Sequence, residues 1–221
     1  MDAKENILIT GFEPFGEYAE NISEIAATQL KRLGKYNVYS LVFPVRIFPE
    51  NGEDYGETIL AKAREINAKA IISLGMSSNV IGVRIETRAI NWVENQAYCL
   101  KSEQRRVIDE SLILKKEMKV NLRRWYLSRL YNLSVLIEKL YLQKISCDIN
   151  FSSDAGTFCY NALMFRTLAA IEKEDCKIPY LFLHVPCSAE AIKNIPDFDK
   201  TKDLMTLEKL EKVLAAILGN L

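Results

Sequence analysis

Two residues in the second half of the chain have the side-chain chemistry of a nucleophile and a proton carrier. Cys159 follows a predicted strand over 147–151 and stands in the first turns of a helix predicted over 155–172. The positive end of a helix dipole favours the thiolate form of a cysteine there, so Cys159 is the best candidate nucleophile. His184, the only histidine, lies near the carboxyl end of an apolar strand predicted over 178–185. An imidazole at that edge can transfer protons to a ligand bound there.

A third charged group completes this set. The alternation in 83–89 places Arg84, Glu86 and Arg88 on one face of a strand, so Glu86 can serve as the carboxylate that orients a histidine. Each residue also has a structural explanation. Free cysteine is among the commonest buried residues, a lone histidine is more often a core residue with a polar partner, and three alternating charges often form a solvated face.

Aromatic residues stand at the end of the first predicted strand. The segment 10–16 contains two glycines and a proline, which predict a turn that presents Phe12 and Phe15 three residues apart. A flat apolar ligand can bind between such rings. The alternative is that both rings only close the edge of the sheet.

The periodicity of the chain predicts the elements that position these residues. Apolar runs at 7–10, 36–42 and 70–74 alternate with helical patterns at 22–33 and 54–66, which is a βαβαβ arrangement. Further helical patterns cover 122–142 and 204–218, and the charged segment 101–121 predicts a solvated loop or flap. We therefore predict one α/β domain over 1–221, with three α/β/α layers and a mainly parallel twisted sheet.

Composition excludes several classes of function. Lys plus Arg equals Asp plus Glu at 29 each, so the chain lacks the positive field of a nucleic-acid-binding protein. Five cysteines without a C-x-x-C pair and one histidine predict neither a disulfide framework nor a metal site. The first six residues are neither basic nor apolar, and no run reaches the length of a membrane span, which predicts a cytoplasmic protein without a membrane partner.

Together these segments resemble the type I pyroglutamyl peptidases, cysteine peptidases that remove N-terminal pyroglutamate. The resemblance runs nearly end to end. It rests on four ordered segments: the strand and loop 7–16, the glutamate segment 85–91, the segment 155–161, and His184-Val185-Pro186. It implies an α/β fold, a homo-oligomer, a peptide with N-terminal pyroglutamate as partner, and no cofactor.

The resemblance also implies roles for particular residues. Cys159 would attack the carbonyl that follows the pyroglutamyl ring, His184 would carry the proton to the leaving amine, and Glu86 would stabilise the imidazolium. Phe12 and Phe15 would pack against the uncharged lactam ring, and Tyr160 is predicted to point into the core or the site.

The segment 155–161 departs from the family at the nucleophile itself. The family has cysteine immediately before the asparagine, whereas Tyr160 precedes Asn161 here and the thiol stands one residue earlier. Two hypotheses follow: a peptidase that uses Cys159, or an inactive homologue that binds N-blocked peptides or a protein partner. A nucleotide-binding domain is a third alternative, suggested only by the βαβαβ arrangement. It is weaker because the first strand is followed by neither G-x-G-x-x-G nor G-x-x-x-x-G-K-[ST], the glycine patterns that bind phosphate.

Overall fold

Continuous apolar runs form the centre of the sheet. In the computed structural model, β1 (Glu5–Phe12) and β4 (Ala68–Met76) are buried along most of their length and β9 (Tyr180–Val185) is buried throughout. Strands covered on both faces have this pattern, whereas half-exposed strands alternate. The structure describes residues 5–47, 52–93, 108, 117–119, 147–196, 198–199 and 203–219.

Seven strands of the described residues form one mixed sheet, in the order β2-β3-β1-β4-β9-β5-β8. Neighbouring strands are parallel except at the pairs β2/β3 and β9/β5, which are antiparallel. A separate two-stranded sheet joins β6 to β7. The other strands are β2 (Arg32–Leu33), β3 (Tyr36–Phe43), β5 (Val83–Glu86), β6 (Arg88–Ile90), β7 (Glu117–Lys119) and β8 (Ile149–Ser152).

Four helices of the described residues pack on the sheet in two pairs. They are α1 (Ile22–Gln29), α2 (Tyr55–Glu65), α3 (Cys159–Lys173) and α4 (Leu207–Leu218). Helix α1 packs with α4, and α2 packs with α3. Polar side chains cap three of them: Asn21, Asp54 and Thr206 accept hydrogen bonds from the first-turn amides of α1, α2 and α4.

Two successive residues of β1 show that the helix pairs cover opposite faces. A Cβ at Gly11 would lie 2.2 Å from the carbonyl oxygen of Ser23 in α1. The next side chain, Phe12, contacts Tyr160 in α3. Because successive strand residues point to opposite faces, α1 and α3 lie on different sides of the sheet. The predicted α/β fold with a mainly parallel sheet between helix layers is confirmed.

Several element boundaries differ from those that periodicity predicts. The first helix was expected over 22–33, but it ends at Gln29, because Leu33 joins a hairpin with β3 through a turn at Gly34 (φ +58°). Helix α3 begins at Cys159 rather than 155. The strand expected over 83–89 is interrupted at Thr87, so Arg88 belongs to a second sheet.

Two expectations fall largely on residues outside the described ranges. The helix predicted over 122–142 lies outside them entirely. Of the charged segment 101–121, the structure describes Ile108 and Glu117–Lys119, and the latter form β7.

Cysteines and acidic residues show no cross-link or metal cluster in the ranges that the structure covers. Cys147, Cys159, Cys176 and Cys187 are thiols that form no disulfide. No three His, Cys, Asp or Glu side chains of these ranges are grouped closely enough to hold a metal ion. No helix among the described residues has the length and apolar character needed to cross a membrane.

The close approach of α1 to β1 yields a stability prediction. Gly11→Ala should lower the free energy of unfolding by about 1–3 kcal/mol, because the new methyl group overlaps the backbone of Ser23. Urea unfolding followed by circular dichroism measures this. Gly219→Ala is the control, since its Cβ would lie 3.1 Å from the nearest atom, and we expect a smaller loss. Equal stability of Gly11→Ala and wild type would contradict the packing.

Candidate active site

A cavity of about 380 Å³ lies beyond the carboxyl ends of β4 and β9. Open α/β sheets bind ligands at this edge, because the loops that follow the strands converge there. The wall combines aromatic rings with a few polar groups. Its residues are Phe15, Tyr18, Val45, Met76, Ser77, Ser78, Asn79, Val80, Arg84, Asp154, Ala155, Gly156, Phe158, Cys159, Tyr160 and His184.

A buried carboxylate and imidazole form the centre of this site. Nδ1 of His184 lies 2.8 Å from Oε1 of Glu86, and Glu86 is 0% exposed while His184 is 7% exposed. The hydrogen bond makes Nδ1 the nitrogen that carries a proton, which leaves Nε2 available as a proton acceptor. This arrangement is that of a general base and its orienting carboxylate.

The antiparallel pairing of β5 with β9 brings Glu86 to His184. Glu86 is the register partner of Phe182, and Arg84 is the partner of His184. Side chains that are opposite each other in an antiparallel pair share a face, and so do residues two apart. Arg84 and Glu86 therefore flank His184 on one face, with Glu86 on the buried side and half-buried Arg84 in the cavity wall.

The ring of Tyr160 lies against His184 and fills the apolar side of the site. Its centroid is 5.3 Å from the imidazole and 4.7 Å from the ring of Phe12, both in edge-to-face geometry. Phe182 contacts both rings, with its centroid 5.2 Å from His184 and 6.1 Å from Tyr160. A Cβ at Gly75 would lie 3.0 Å from the Tyr160 ring, so glycine is what permits the ring to lie on β4.

The hydroxyl of Tyr160 is buried and makes no hydrogen bond to any residue that the structure describes. Burial raises the pKa of this phenol well above its usual range, and the neighbouring Cys159 thiol raises it further. The Asn21 side chain is near enough to lower this pKa somewhat, although it is not in hydrogen-bond geometry, and the pKa remains raised. The phenol is therefore neutral at physiological pH and is a poor nucleophile.

Cys159 is the first residue of α3 and lines the same cavity as His184. It is 2% exposed. Its thiol is near enough to Tyr55 of α2 to contribute to the raised pKa of that phenol, of which burial is the main cause. The N-cap residue is Phe158, whose side chain has no hydrogen-bond acceptor, and the positive end of α3 lies at the cavity wall.

Asn161 fixes the rotation of the first turn of α3. Its Oδ1 accepts a hydrogen bond from the Ile90 amide at 2.8 Å, and its Nδ2 donates to the carbonyls of Ile90 at 2.8 Å and Trp92 at 3.2 Å. The side chain is fully buried. These three bonds join the helix to the segment that follows Glu86, so they set which side chain of the first turn faces His184.

A second amide holds the aromatic loop after β1. Asn21 Oδ1 accepts from the amide and hydroxyl of Ser23 at 3.0 and 2.7 Å, and its Nδ2 donates to the Glu13 carbonyl at 3.1 Å. Ser23 in turn accepts from the Phe12 amide at 3.0 Å. This cluster fixes the loop that carries Phe15 over the cavity.

The structure thus brings most of the predicted site residues to one place. Cys159, His184, Tyr160 and Phe15 line the cavity, Glu86 lies directly behind His184, and fully buried Phe12 packs behind Tyr160 rather than in the wall.

Sequence reasoning did not identify Tyr18 as a wall residue. Its ring lies 5.0 Å from Phe15, because a turn bonds the Tyr18 amide to the Phe15 carbonyl. The sequence offered one signal for this contact: Phe15 and Tyr18 stand three residues apart, on either side of Gly16. Arg84 was seen only as one of three alternating charges, and the structure separates it from Arg88, which pairs with Glu117 on the second sheet.

Comparison with known proteins identifies similar chains. The family model described as pyroglutamyl peptidase matches residues 5–219. Pyrrolidone-carboxylate peptidase from Brachyspira hyodysenteriae is 29% identical over 215 residues, which cover 96% of this chain and 98% of that protein. The Thermococcus litoralis protein of the same name is 27% identical over 219 residues, covering 95% and 92%.

Solved structures have the same fold. Pyrrolidone carboxyl peptidase from Thermococcus litoralis superposes with a TM-score of 0.73 at 23% identity and covers 98% of this chain and 92% of its own. A mutant pyrrolidone carboxyl peptidase from Pyrococcus furiosus gives 0.72 at 22% identity, with 97% of each chain covered.

The unsatisfied phenol leads to a stability prediction. Tyr160→Phe should leave the free energy of unfolding unchanged or raise it by up to about 1 kcal/mol, because it removes a buried hydroxyl without a partner and keeps the ring. The matched control is Thr10→Val, whose buried hydroxyl donates to Ser73 at 2.8 Å; we expect it to lose about 1 kcal/mol. Thermal unfolding measures both. A clear loss in Tyr160→Phe would mean that the hydroxyl is bonded.

Proposed function

Since this chain belongs to the pyroglutamyl peptidase family, we propose that it removes N-terminal pyroglutamate from peptides, with Cys159, His184 and Glu86 as its catalytic residues. The observation that supports this best is the buried Glu86–His184 pair, which opens onto an aromatic cavity that Cys159 also lines. Burial of a carboxylate costs free energy of folding, and only part of it is regained by pairing with a histidine. The orientation of a catalytic imidazole is a function that accounts for such a costly group.

The cavity wall suits an uncharged lactam ring. Phe15, Tyr18 and Tyr160 offer ring faces and edges, and Phe12 supports Tyr160 from behind. A charged amino terminus would lose its hydration against these rings, which carry no opposite charge, so this part of the site would favour blocked N-termini. This selectivity follows from desolvation rather than from a specific hydrogen bond.

The reaction would proceed by acyl transfer through the thiol. Nε2 of His184 takes the proton from Cys159, and the thiolate attacks the main-chain carbonyl carbon of the pyroglutamyl residue. The C–N bond then breaks while the imidazolium gives its proton to the leaving amine. Water, deprotonated by His184, hydrolyses the thioester and releases pyroglutamate. The carboxylate of Glu86 stabilises the imidazolium in both steps.

Tyr160 sets the main requirement of this mechanism. The ring that lies against His184 belongs to residue 160, and side chains of adjacent helix residues point about 100° apart. For the Cys159 thiol to reach Nε2, the Tyr160 ring must move or the first turn must rewind. Rewinding would break the three hydrogen bonds of Asn161. We therefore expect turnover, where it occurs, to be slow.

A second candidate function is favoured by the same ring. With Tyr160 between α3 and His184, the cavity can bind an N-blocked peptide without cleaving it. The protein would then act as a binding protein for pyroglutamyl peptides. In this case the binding surface is retained while the acyl-transfer step is lost.

The wider expectations belong to the same proposal. We propose a single domain over 1–221, a cytoplasmic location and a homo-oligomeric assembly. Light scattering of the purified protein measures the mass of the assembly, and a mass of one chain at micromolar concentration would contradict the last of these.

Hydrolysis of a fluorogenic pyroglutamyl coumarin amide tests the choice between the two functions. For a peptidase, we expect wild-type turnover that falls by about a hundredfold or more in Cys159→Ala and in His184→Ala, because nucleophile and base act as a unit. Cys176→Ala is the control, since this thiol lies beyond the other end of α3 and does not line the cavity. It should hydrolyse the substrate at the wild-type rate.

Tyr160→Cys separates the alternatives further. A silent wild type that gains hydrolysis in Tyr160→Cys, and that binds a pyroglutamyl peptide in calorimetry, would establish the binding protein and overturn the peptidase. Wild-type turnover that survives Cys159→Ala would exclude Cys159 as the nucleophile.

The carboxylate has a test of its own. In whichever protein hydrolyses the substrate, wild type or Tyr160→Cys, Glu86→Gln should lower kcat by about a hundredfold or more, because an amide cannot stabilise the imidazolium. Glu117→Gln changes an exposed carboxylate paired with Arg88 and serves as the control. Unchanged kcat in Glu86→Gln would remove Glu86 from the mechanism.

A further inference from the structure

Of the described residues, one arginine and no lysine line the cavity, and the acyl-transfer mechanism does not use this arginine. Arg84 is half-buried in the wall beside the two serines and the asparagine of the loop after β4. Its guanidinium donates one long hydrogen bond, at 3.4 Å, to the carbonyl of Asn79. Among the residues that the structure describes, no carboxylate forms an ion pair with it.

The other arginines near this edge are engaged differently. Arg88 pairs with Glu117 at 3.1 Å and donates to the Ser153 carbonyl at 3.0 Å. Arg166 donates to the backbone carbonyls of Ile47 and Ile108. Arg84 has donors to spare in the cavity wall, and a guanidinium in such a place is suited to a planar carboxylate.

Within the same described ranges, one carboxylate also lines the cavity. Asp154 is exposed, and its Oδ1 accepts a hydrogen bond from the Gly156 amide at 3.0 Å, within its own turn. It belongs to the loop that precedes α3, whereas Arg84 lies on β5 next to His184. An anionic ligand group would therefore approach the β5 side of the cavity.

The register of β5 and β9 places Arg84 beside His184, and therefore near the peptide bond at which His184 would act. Arg84 and His184 are direct partners in the antiparallel pair, and the Cβ atoms of such partners are about 4.5–5.5 Å apart. Successive Cα atoms of a peptide are about 3.8 Å apart. A carboxylate one residue beyond the scissile bond would thus fall within the reach of an arginine side chain beside the histidine.

We propose that Arg84 binds the terminal carboxylate of a pyroglutamyl dipeptide, so that the preferred ligands of this site are dipeptides rather than longer peptides. The lactam ring lies among Phe15, Tyr18 and Tyr160, and the single residue that follows places its carboxylate on the guanidinium. The cavity volume of about 380 Å³ is at the small end of the range for ligand sites, which fits a ligand of this size. The inference rests on the proposed function, because it assumes a pyroglutamyl group at His184.

Pyroglutamyl-alanine and pyroglutamyl-alaninamide differ only in the carboxylate and make the test direct. Wild type should bind the free acid at least about tenfold more tightly than the amide in calorimetry, since a charge-assisted hydrogen bond is lost with the amide. Arg84→Gln should abolish this difference by weakening the acid alone. Where the protein hydrolyses both compounds, kcat/KM should change in the same way.

Arg64→Gln is the matched control, because Arg64 lies on α2 and pairs with Glu174 at the surface. It should keep the wild-type preference for the acid. A wild type that binds both compounds equally, or an Arg84→Gln that weakens both equally, would overturn the proposal. Preferential binding of the acid without hydrolysis would support the role of Arg84 while removing the peptidase activity, so the two proposals fail separately.

Discussion

A carboxylate with no exposure to solvent has to be compensated inside the protein, and in this molecule the compensating group is a single imidazole. The hydrogen bond between Glu86 and His184 joins two strands that run in opposite directions, within a sheet whose other central pairs are parallel. The antiparallel direction of β5 places Glu86 opposite Phe182, on the buried side of His184, and Arg84 on the side of the cavity. Removing either partner would leave an uncompensated polar group in an apolar environment, which is among the more costly defects a fold can have.

The side chains of two asparagines hold segments outside the sheet in place through hydrogen bonds to the backbone. Asn21 gathers the aromatic loop after β1, and Asn161 joins α3 to the segment after β5. Each side chain both donates and accepts, so each satisfies backbone groups that would otherwise be buried without partners. These amide hydrogen bonds, in addition to packing, hold the aromatic loop and the first turn of α3 beside the cavity.

Much of the fold and of the site follows from the sequence. The apolar runs at 7–10, 36–42 and 70–74, which alternate with helical patterns, were sufficient to predict an α/β sheet, and the sequence alone singles out Cys159, His184 and Glu86. The turn at Gly34 was not predicted, because a two-residue strand has too few residues for a period. The burial of Glu86 could not be predicted either. Alternation assigns the side chain to one face of the strand but does not show whether solvent or a helix covers that face.

The offset between Cys159 and Tyr160 is visible in the sequence, and periodicity predicts that Tyr160 points into the core or the site, but it does not identify the groups that this ring contacts. Only the structure puts the ring of residue 160 against the imidazole and shows that Asn161 holds the helix in that rotation. A shift of one residue is small in a sequence and large in a helix, where it changes the direction of a side chain. Tertiary hydrogen bonds, which leave no periodic signal, decide such questions.

The tyrosine at position 160 has a consequence at the level of genes. Tyrosine and cysteine codons differ in one base, so the thiol that the family has before its asparagine is a single substitution away. The side chains of Glu86, His184 and Asn161 already surround this position. A chain with cysteine at position 160 and the present chain with tyrosine there are thus one base change apart.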